Sequence, residues 1–142
     1  MKFANKWAFL IGLMIISILP SACKKIKYGD FTVHSITVKT FTGNSTASSP
    51  HVYFKCDGPG VQDVSGSIWI GNIHQEFTVS TDFKGSRGSA DYDFALMEDL
   101  DSGDIELKST TVDFGKFKGQ NSFTIEQDDM VLRFVVSWDG RW

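Results

Sequence analysis

Three closely spaced carboxylates form the first group in this sequence whose spacing could do chemistry. Asp99, Asp101 and Asp104 are spaced as carboxylates are in many calcium loops, and Ca²⁺ takes six to eight oxygen ligands. Counted from Asp99, an EF-hand requires glycine at its sixth position and glutamate at its twelfth, whereas Gly103 is fifth and Thr110 is twelfth. This turn is therefore a candidate calcium site outside the EF-hand pattern, and the alternative is a plain solubilising turn.

The second candidate is a tryptophan beside a histidine on an outer sheet face. A Gly-Asn pair at 71–72 separates two alternating apolar segments, which predicts a hairpin with a two-residue turn. In that hairpin Ile70 faces Ile73, whereas Trp69 and His74 project together from the other face. An exposed tryptophan beside polar groups can serve as a binding platform for a sugar ring or a partner protein. The alternative is that the chain's tail or a loop covers this face.

The other reactive side chains predict no enzyme and no cofactor. The three histidines are far apart and lie on different predicted strands, so no spacing supports a zinc site. Cys56 alternates with Val52 and Phe54 on an apolar face, which indicates a buried, inert thiol rather than a nucleophile. The Gly-x-Ser-x-Gly motif of many hydrolases is absent from the sequence.

Apolar and polar residues alternate with a period of two along most of the chain after residue 29. In a strand this alternation decides on which sheet face each of these side chains lies. Clusters of Gly, Asn, Asp and Ser interrupt it at short, regular intervals, which is typical of an all-β sandwich or barrel. We predict an antiparallel, immunoglobulin-like β-sandwich of about eight strands; the alternative is an eight-stranded lipocalin-like barrel. A change of parity within the first strand predicts a β-bulge near His34 and Ser35.

The start of the chain indicates export. Lys2 and Lys6 precede the apolar run WAFLIGLMIISIL, and the small residues that follow Pro20 lead into Cys23. This is the layout of a secretory signal. The apolar run is shorter than the roughly 20 residues that a membrane-spanning helix needs, so we expect the signal to be removed rather than to remain as an anchor.

The LPSAC segment that ends at Cys23 resembles the cleavage site of bacterial lipoprotein precursors. In that family the signal is cut before an obligatory cysteine, which carries acyl chains. The resemblance implies a signal peptide at 1–22, a lipid-tethered basic spacer at 23–29, and a single β-sandwich domain at 30–142. The alternative is ordinary secretion, with a disulfide between Cys23 and Cys56 in an oxidising compartment.

Connections between antiparallel strands alternate between the two ends of a sandwich, which separates the charges. Loops 43–50, 71–72, 98–104 and 128–129 should share one end, with acidic side chains and no lysine or arginine nearby. The other end should hold both termini and the basic residues Lys24, Lys25, Lys27, Lys84, Arg87, Lys116 and Lys118. Basic side chains near an anionic bilayer contribute about 1 kcal/mol each. The hypothesis is that this end faces the membrane; the alternative is a solvated mixture of charges.

The net charge of the chain narrows the class of partner that it can bind. The net charge of −3 becomes more negative when the two lysines of the signal leave, which disfavours nucleic-acid binding because that needs a net basic face. We expect a lipid-anchored protein of the bacterial cell envelope that acts as a binding, adhesion or assembly module, with an envelope protein or a glycan as partner. The alternative is a carrier of a small apolar ligand in a barrel cavity, suggested by the 12 phenylalanines.

Overall fold

The computed structural model describes residues 30–86 and 90–139, which are almost entirely extended. These residues form nine β-strands and one short 3-10 helix, Phe114–Phe117. The strands are β1 (Asp30–Phe41), β2 (His51–Gly58), β3 (Val61–Val64), β4 (Ile68–Trp69), β5 (Phe77–Gly85), β6 (Asp91–Glu98), β7 (Ile105–Asp113), β8 (Ser122–Gln127) and β9 (Met130–Asp139). No helix within these two ranges has the length and apolar character needed to cross a membrane.

The strands form two antiparallel sheets that pack face to face. The first sheet has the order β5-β1-β9-β8, and the second has the order β3-β2-β6-β7, with the short β4 also paired to β2. Both sheets are open, so the described strands do not close into a ring. The predicted antiparallel β-sandwich is therefore confirmed, and the lipocalin-like barrel is wrong.

Alternation of buried and exposed residues builds most of the core side of both sheets. β2 buries Val52, Phe54 and Cys56, as the alternation predicts. In β1 the apolar side chains change parity, and a register shift between Val33 and Ser35 keeps them on the core side. This shift confirms the predicted bulge, since one extra residue in a strand turns the following side chains to the opposite face.

Phenylalanine rings fill the space between the sheets around Phe114, which is fully buried. The Phe114 ring is stacked on Phe31, with 4.0 Å between the ring centroids. Phe94, Phe123 and Phe134 contact it at centroid distances of 5.9, 5.6 and 6.2 Å. Because Phe31 begins β1 and Phe114 follows β7, the stack joins the two sheets. The phenylalanines that suggested a ligand cavity therefore pack against one another in the core.

The predicted hairpin across residues 71–72 is not formed. β4 pairs with β2, whereas β5 pairs with β1 in the other sheet. The intervening segment does turn, since the N–H of Gln75 donates to the carbonyl of Asn72 at 3.1 Å. Ile70 and Ile73 are both buried. These isoleucines therefore hold a crossing from one sheet to the other instead of facing each other across a hairpin.

Antiparallel pairing sorts the connections to two ends, as expected. Asp30 pairs with Asp139 at one end of the first sheet, and Phe41 pairs with Met130 at the other. We call the end that holds Asp30 the basic end; it includes the turn at 59–60, the 3-10 helix and residues 118–121. We call the opposite end the acidic end. It includes the connections 42–50, 70–76, 99–104 and 128–129.

Candidate binding site

Trp69 is the most exposed large apolar side chain among the described residues, with 74% of its surface accessible. It lies on β4, directly opposite His51 on β2. Paired residues point to the same face of a sheet, and here the two rings are stacked, 4.3 Å apart and 14° from parallel. One face of the indole is therefore held by the imidazole, which fixes the orientation of the ring on the outer surface.

His51 is held in turn by the connection that follows β6. Its Nδ1 lies 3.0 Å from Oδ2 of Asp99, and the N–H of Asp99 donates to the carbonyl of His51 at 2.8 Å. His51 and Asp99 are therefore joined both by their side chains and by their backbones. When the imidazole is protonated, this contact is an ion pair on a partly exposed surface, where such pairs contribute little to stability. Its main effect is to orient the ring beneath Trp69.

Tyr53 and Asp104 continue the same outer face. The Tyr53 hydroxyl donates to Oδ2 of Asp104 at 2.6 Å, and the N–H of Leu100 donates to the other carboxylate oxygen at 3.1 Å. Burial, then the hydrogen bond to Asp104 and the nearby negative charges, raise the pKa of Tyr53 to about 12. The same hydrogen bond from Tyr53 lowers the pKa of Asp104.

We call these five residues the aromatic platform. They come from two strands of the second sheet and from the acidic connection at 99–104, and each of them except Trp69 is hydrogen-bonded to another member. The platform consists of His51, Tyr53, Trp69, Asp99 and Asp104.

A polar hollow of about 360 Å³ continues from the platform along the outer face of the second sheet. Lys55 and Asp57 alternate with the buried residues of β2, so they share the face of His51 and Tyr53. Across β6 and β7, the Thr111 hydroxyl donates to Oδ1 of Asp93 at 2.6 Å. We call this hollow the outer groove. It is lined by Lys55, Asp57, Asp93, Ala95, Glu106, Ser109 and Thr111.

His74 does not form the predicted pair with Trp69. Its Nδ1–H donates to the carbonyl of Phe41 at 2.9 Å, and its backbone N–H donates to Oδ1 of Asn72 at 2.9 Å. It lines a separate polar hollow of about 410 Å³ beside residues 44–48. The side chain beside Trp69 is His51, so the predicted platform of Trp69 with His74 is wrong in its second member. Trp69 is exposed, as predicted.

The sequence contains a signal that identifies His51 as an outward-facing residue. Alternation predicts that Val52, Phe54 and Cys56 are core residues, and the alternate residues of the same strand therefore face outward. The pairing of β4 with β2 cannot be read from the sequence, because a turn, the strand β3 and an irregular stretch separate the two strands along the chain.

Of the three calcium candidates, Asp99 and Asp104 lie close together, since Asp99 helps to lower the pKa of Asp104. Asp99 contacts His51, and Asp104 accepts hydrogen bonds from Tyr53 and Leu100, whereas Asp101 is exposed. Within residues 30–86 and 90–139, no three Asp, Glu, His or Cys side chains are grouped so that they could hold a metal ion. The calcium hypothesis thus gains no support from the geometry.

Glu98 belongs to the acidic turn that the sequence places in solvent, but it is fully buried. It is the last residue of β6, and its two carboxylate oxygens accept the backbone N–H groups of Thr46 and Ala47 at 2.6 and 2.9 Å. This residue therefore fixes the connection 42–50 to the second sheet. Buried carboxylates are tolerated where such donors are supplied.

The acidic end contains a lysine that the sequence did not predict there. Nζ of Lys108, on β7, lies 3.4 Å from a carboxylate oxygen of Asp128 and 3.4 Å from one of Asp129. Those two carboxylates raise the pKa of Lys108. The expectation of acidic residues without a nearby base is therefore wrong for the turn at 128–129.

The described lysines of the predicted basic set do share one end. Lys84 lies opposite Thr32 near the start of β1, and its Nζ is 3.8 Å from Asp82. Lys116 and Lys118 are exposed in and just after the 3-10 helix. Cys23 and the remaining members of the predicted set lie outside the described residues; these members are Lys24, Lys25, Lys27 and Arg87.

The aromatic residues at the basic end are engaged in the fold. The indole N–H of Trp138 donates to the carbonyl of Gln120 at 2.7 Å, and its ring contacts Phe31 and Phe114. Phe117 is stacked on Phe123 with 4.0 Å between centroids. Both side chains are half-buried, whereas the described lysines at this end are exposed, as are Asp30, Asp91 and Asp139.

Cys56 is a free thiol with 1% of its surface accessible. Burial, followed by the negative charges of Asp57, Asp63 and Asp93, raises the pKa of Cys56 to about 12. A thiol in this state is a poor nucleophile because the thiolate is the reactive form. It packs as a small core residue and forms no disulfide with any described residue.

Comparison with known proteins identifies the fold but no close relative. No protein-family model and no curated protein matches the chain. Among solved structures, a C2 domain of plant extended synaptotagmin 1 superimposes with a TM-score of 0.59 at 11% identity, over 82% of this chain and 98% of that one. A second C2 domain gives a TM-score of 0.55 at 7% identity, over 80% of this chain and all of its own length.

A third similar structure belongs to a larger protein, the human GIVD cytosolic phospholipase A2, with a TM-score of 0.56 at 8% identity. The match covers 76% of this chain but only 17% of the phospholipase. These likenesses show an antiparallel β-sandwich similar to C2 domains. Such a sandwich, with polar groups gathered on one outer face and at its loops, is compatible with a binding module.

Proposed function

We propose that this protein is a lipid-tethered binding module of a bacterial cell envelope, which acts by binding rather than by catalysis. The observation that carries the proposal is the separation of the two ends of the sandwich. The chain enters the domain at Asp30, at the end that presents Lys84, Lys116 and Lys118. The aromatic platform lies towards the other end, where β2 begins.

Electrostatics supports this orientation. A lipid on Cys23 would hold the basic end close to the bilayer, since only six residues separate Cys23 from Asp30. Each lysine near an anionic surface contributes about 1 kcal/mol, and the attraction falls off within a Debye length of about 8 Å. The exposed carboxylates of Asp30, Asp91 and Asp139 at the same end offset part of this attraction. The aromatic platform would then point away from the membrane, where a partner can reach it.

The tether is tested by replacing its attachment residue. In a bacterial host, the wild-type chain should be recovered in the membrane fraction and released only by detergent. The Cys23→Ser chain should leave that fraction, because one or more acyl chains supply the anchoring free energy. A Cys56→Ser chain is the matched control and should stay with the membrane. Membrane recovery of Cys23→Ser equal to wild type would overturn the tether.

The orientation is tested with a chain that begins at residue 24 and carries no lipid. We expect it to co-sediment with vesicles containing anionic lipid but not with neutral ones. Charge reversal at the basic end, in the Lys84→Glu, Lys116→Glu, Lys118→Glu variant, should weaken that binding, although Lys24, Lys25, Lys27 and Arg87 remain. The matched control reverses three cations elsewhere, Lys39→Glu, Lys55→Glu and Arg133→Glu, and should bind as before. Equal loss in both variants would leave only general electrostatics and contradict the proposed orientation.

A further inference from the structure

We propose that the aromatic platform and the outer groove together form a site for a neutral or amino-bearing glycan chain, with one sugar ring stacked on Trp69. The inference deepens the proposed function, because it rests on the protein acting by binding and names the class of ligand. Three features support it: the exposed indole, the polar lining of the groove and the sign of the charge around both.

The exposed indole supplies a flat apolar surface that is already held in place. Trp69 is 74% exposed, yet its ring is stacked on His51, which is itself hydrogen-bonded to Asp99. The face of an aromatic ring carries partial negative charge and attracts polarised C–H groups, such as those on the face of a sugar ring. Because the ring is preorganised, binding loses little side-chain entropy.

The groove supplies the hydrogen-bonding groups that a sugar chain needs. Lys55 and Ser109 can donate, whereas Asp57 and Glu106 can accept, and all four line one open hollow. Sugar hydroxyls both donate and accept, so they match this mixed lining. From His51 to Asp57 the outer face extends about 20 Å along β2. That length suits a chain of several sugar units rather than a single ring.

The local charge selects among glycans. The groove has three carboxylates, those of Asp57, Asp93 and Glu106, against the single ammonium of Lys55. Asp99 and Asp104 add two more carboxylates at the platform. An excess of negative charge repels uronic-acid or sulfated chains and attracts protonated amino sugars. We therefore expect neutral and amino-bearing chains to bind and acidic chains to be rejected.

The same surface is poorly suited to a protein partner. A stable protein–protein interface buries roughly 800 Å² on each side around an apolar core. Among the described residues, only Val64, Trp69 and Ile105 are large apolar side chains with substantial exposure. One exposed aromatic ring beside a polar groove matches a glycan better than it matches such a core.

The test measures binding of defined oligosaccharides to the full-length lipoprotein in mild detergent by isothermal titration calorimetry. The probes are cellohexaose as a neutral chain, chitosan hexamer as an amino-bearing chain, hyaluronan hexasaccharide as an acidic chain, and pentalysine as a basic peptide. The variants are Trp69→Ala and Lys55→Met. Arg133→Met, an exposed cation in the first sheet, is the control for Lys55→Met. Circular dichroism melts of each variant confirm that it is folded.

We expect the neutral or the amino-bearing chain to bind. Trp69→Ala should weaken that binding about tenfold or more, and Lys55→Met should weaken it several-fold. Arg133→Met should leave it unchanged. Binding by neither chain, binding indifferent to Trp69→Ala, or binding of hyaluronan or pentalysine alone would overturn the inference. If no glycan binds but the Cys23→Ser chain still leaves the membrane fraction, the glycan site is refuted and the lipid tether is retained. Glycan binding by a chain that is not membrane-bound would overturn the tether alone.

Discussion

The Tyr53 hydroxyl links two parts of the platform through its 2.6 Å hydrogen bond to Asp104. We predict that Asp104→Asn lowers the pKa of Tyr53 below about 12, because the charged acceptor is lost. The pKa should stay above the ordinary 10.0, since burial is the largest cause of the shift. The measurement is the pH titration of the Tyr53 ring carbon by NMR, assigned with Tyr53→Phe. Asp101→Asn is the control; an unchanged pKa in Asp104→Asn would contradict the account.

The raised pKa of Tyr53 also sets the pH dependence of stability at the alkaline end. The folded pKa is about 12 and the ordinary value is 10.0, so the stabilising contribution is complete below pH 10 and is lost as pH rises towards 12. The pKa of Asp104 is lowered, so its contribution is present at neutral pH and is lost as pH falls through its folded value. In Tyr53→Phe, the part of the alkaline loss due to this residue should disappear from urea-unfolding curves.

Glu98 is the other residue whose effect is local and large. We predict that Glu98→Gln lowers the free energy of unfolding by about 1–3 kcal/mol, because an amide cannot accept both N–H groups as the carboxylate does. The donors are the backbone N–H groups of Thr46 and Ala47. Urea unfolding followed by circular dichroism measures the change. The control is Glu76→Gln, at an exposed side chain paired with Lys39, which should change the free energy of unfolding by less than about 0.5 kcal/mol. Similar losses in both variants would show that Glu98 does not hold the connection 42–50.

At the scale of the strands, Gly85 shows how closely side chains pack against the backbone of the first sheet. It lies opposite Phe31 in the first sheet, and a Cβ added there would collide with the Phe31 ring. We predict that Gly85→Ala costs about 1–3 kcal/mol of unfolding free energy, as overpacking does in a filled core. Gly66→Ala is the control, since nothing lies within 4 Å of its added Cβ. Equal effects in the two variants would show that Phe31 is free to move.

Strand alternation is the part of the structure that the sequence predicts well. The buried residues of β2 and the bulge in β1 both follow from local patterns, because side-chain parity is a property of each strand alone. The predicted hairpin at 71–72 is wrong since the Gly-Asn pair specifies a turn but not which sheet receives the next strand. In the structure β5 pairs with β1 in the other sheet, and Ile70 and Ile73 are buried in the crossing.

The sequence predicts the site less completely than the fold, for the same reason. Trp69 can be recognised from its own environment, but His51 becomes its partner only through the pairing of β4 with β2. Glu98 is a similar case: an acidic residue at a strand end is expected in solvent, and its burial depends on the backbone of a distant connection. Contacts of this kind are set by tertiary packing, which a single sequence does not display.

For the molecule as a whole, the antiparallel connectivity gives the two ends different characters. The basic end holds Asp30 and the exposed lysines, and the acidic end holds the start of β2 and the connection 99–104. Lys108 neutralises part of the acidic end. The difference between the two ends therefore rests mainly on the lysines of the basic end and on the position of the aromatic platform. A tether near Asp30 would turn this difference into an orientation of the domain on the membrane.

The most direct test of the tethered module is mass spectrometry of the N-terminal peptide from protein isolated from bacterial membranes. The account predicts that the mature chain begins at Cys23, that this residue carries acyl chains, and that Cys56 is recovered as a free thiol after unfolding. An unmodified N-terminus, or a disulfide between Cys23 and Cys56, would contradict it.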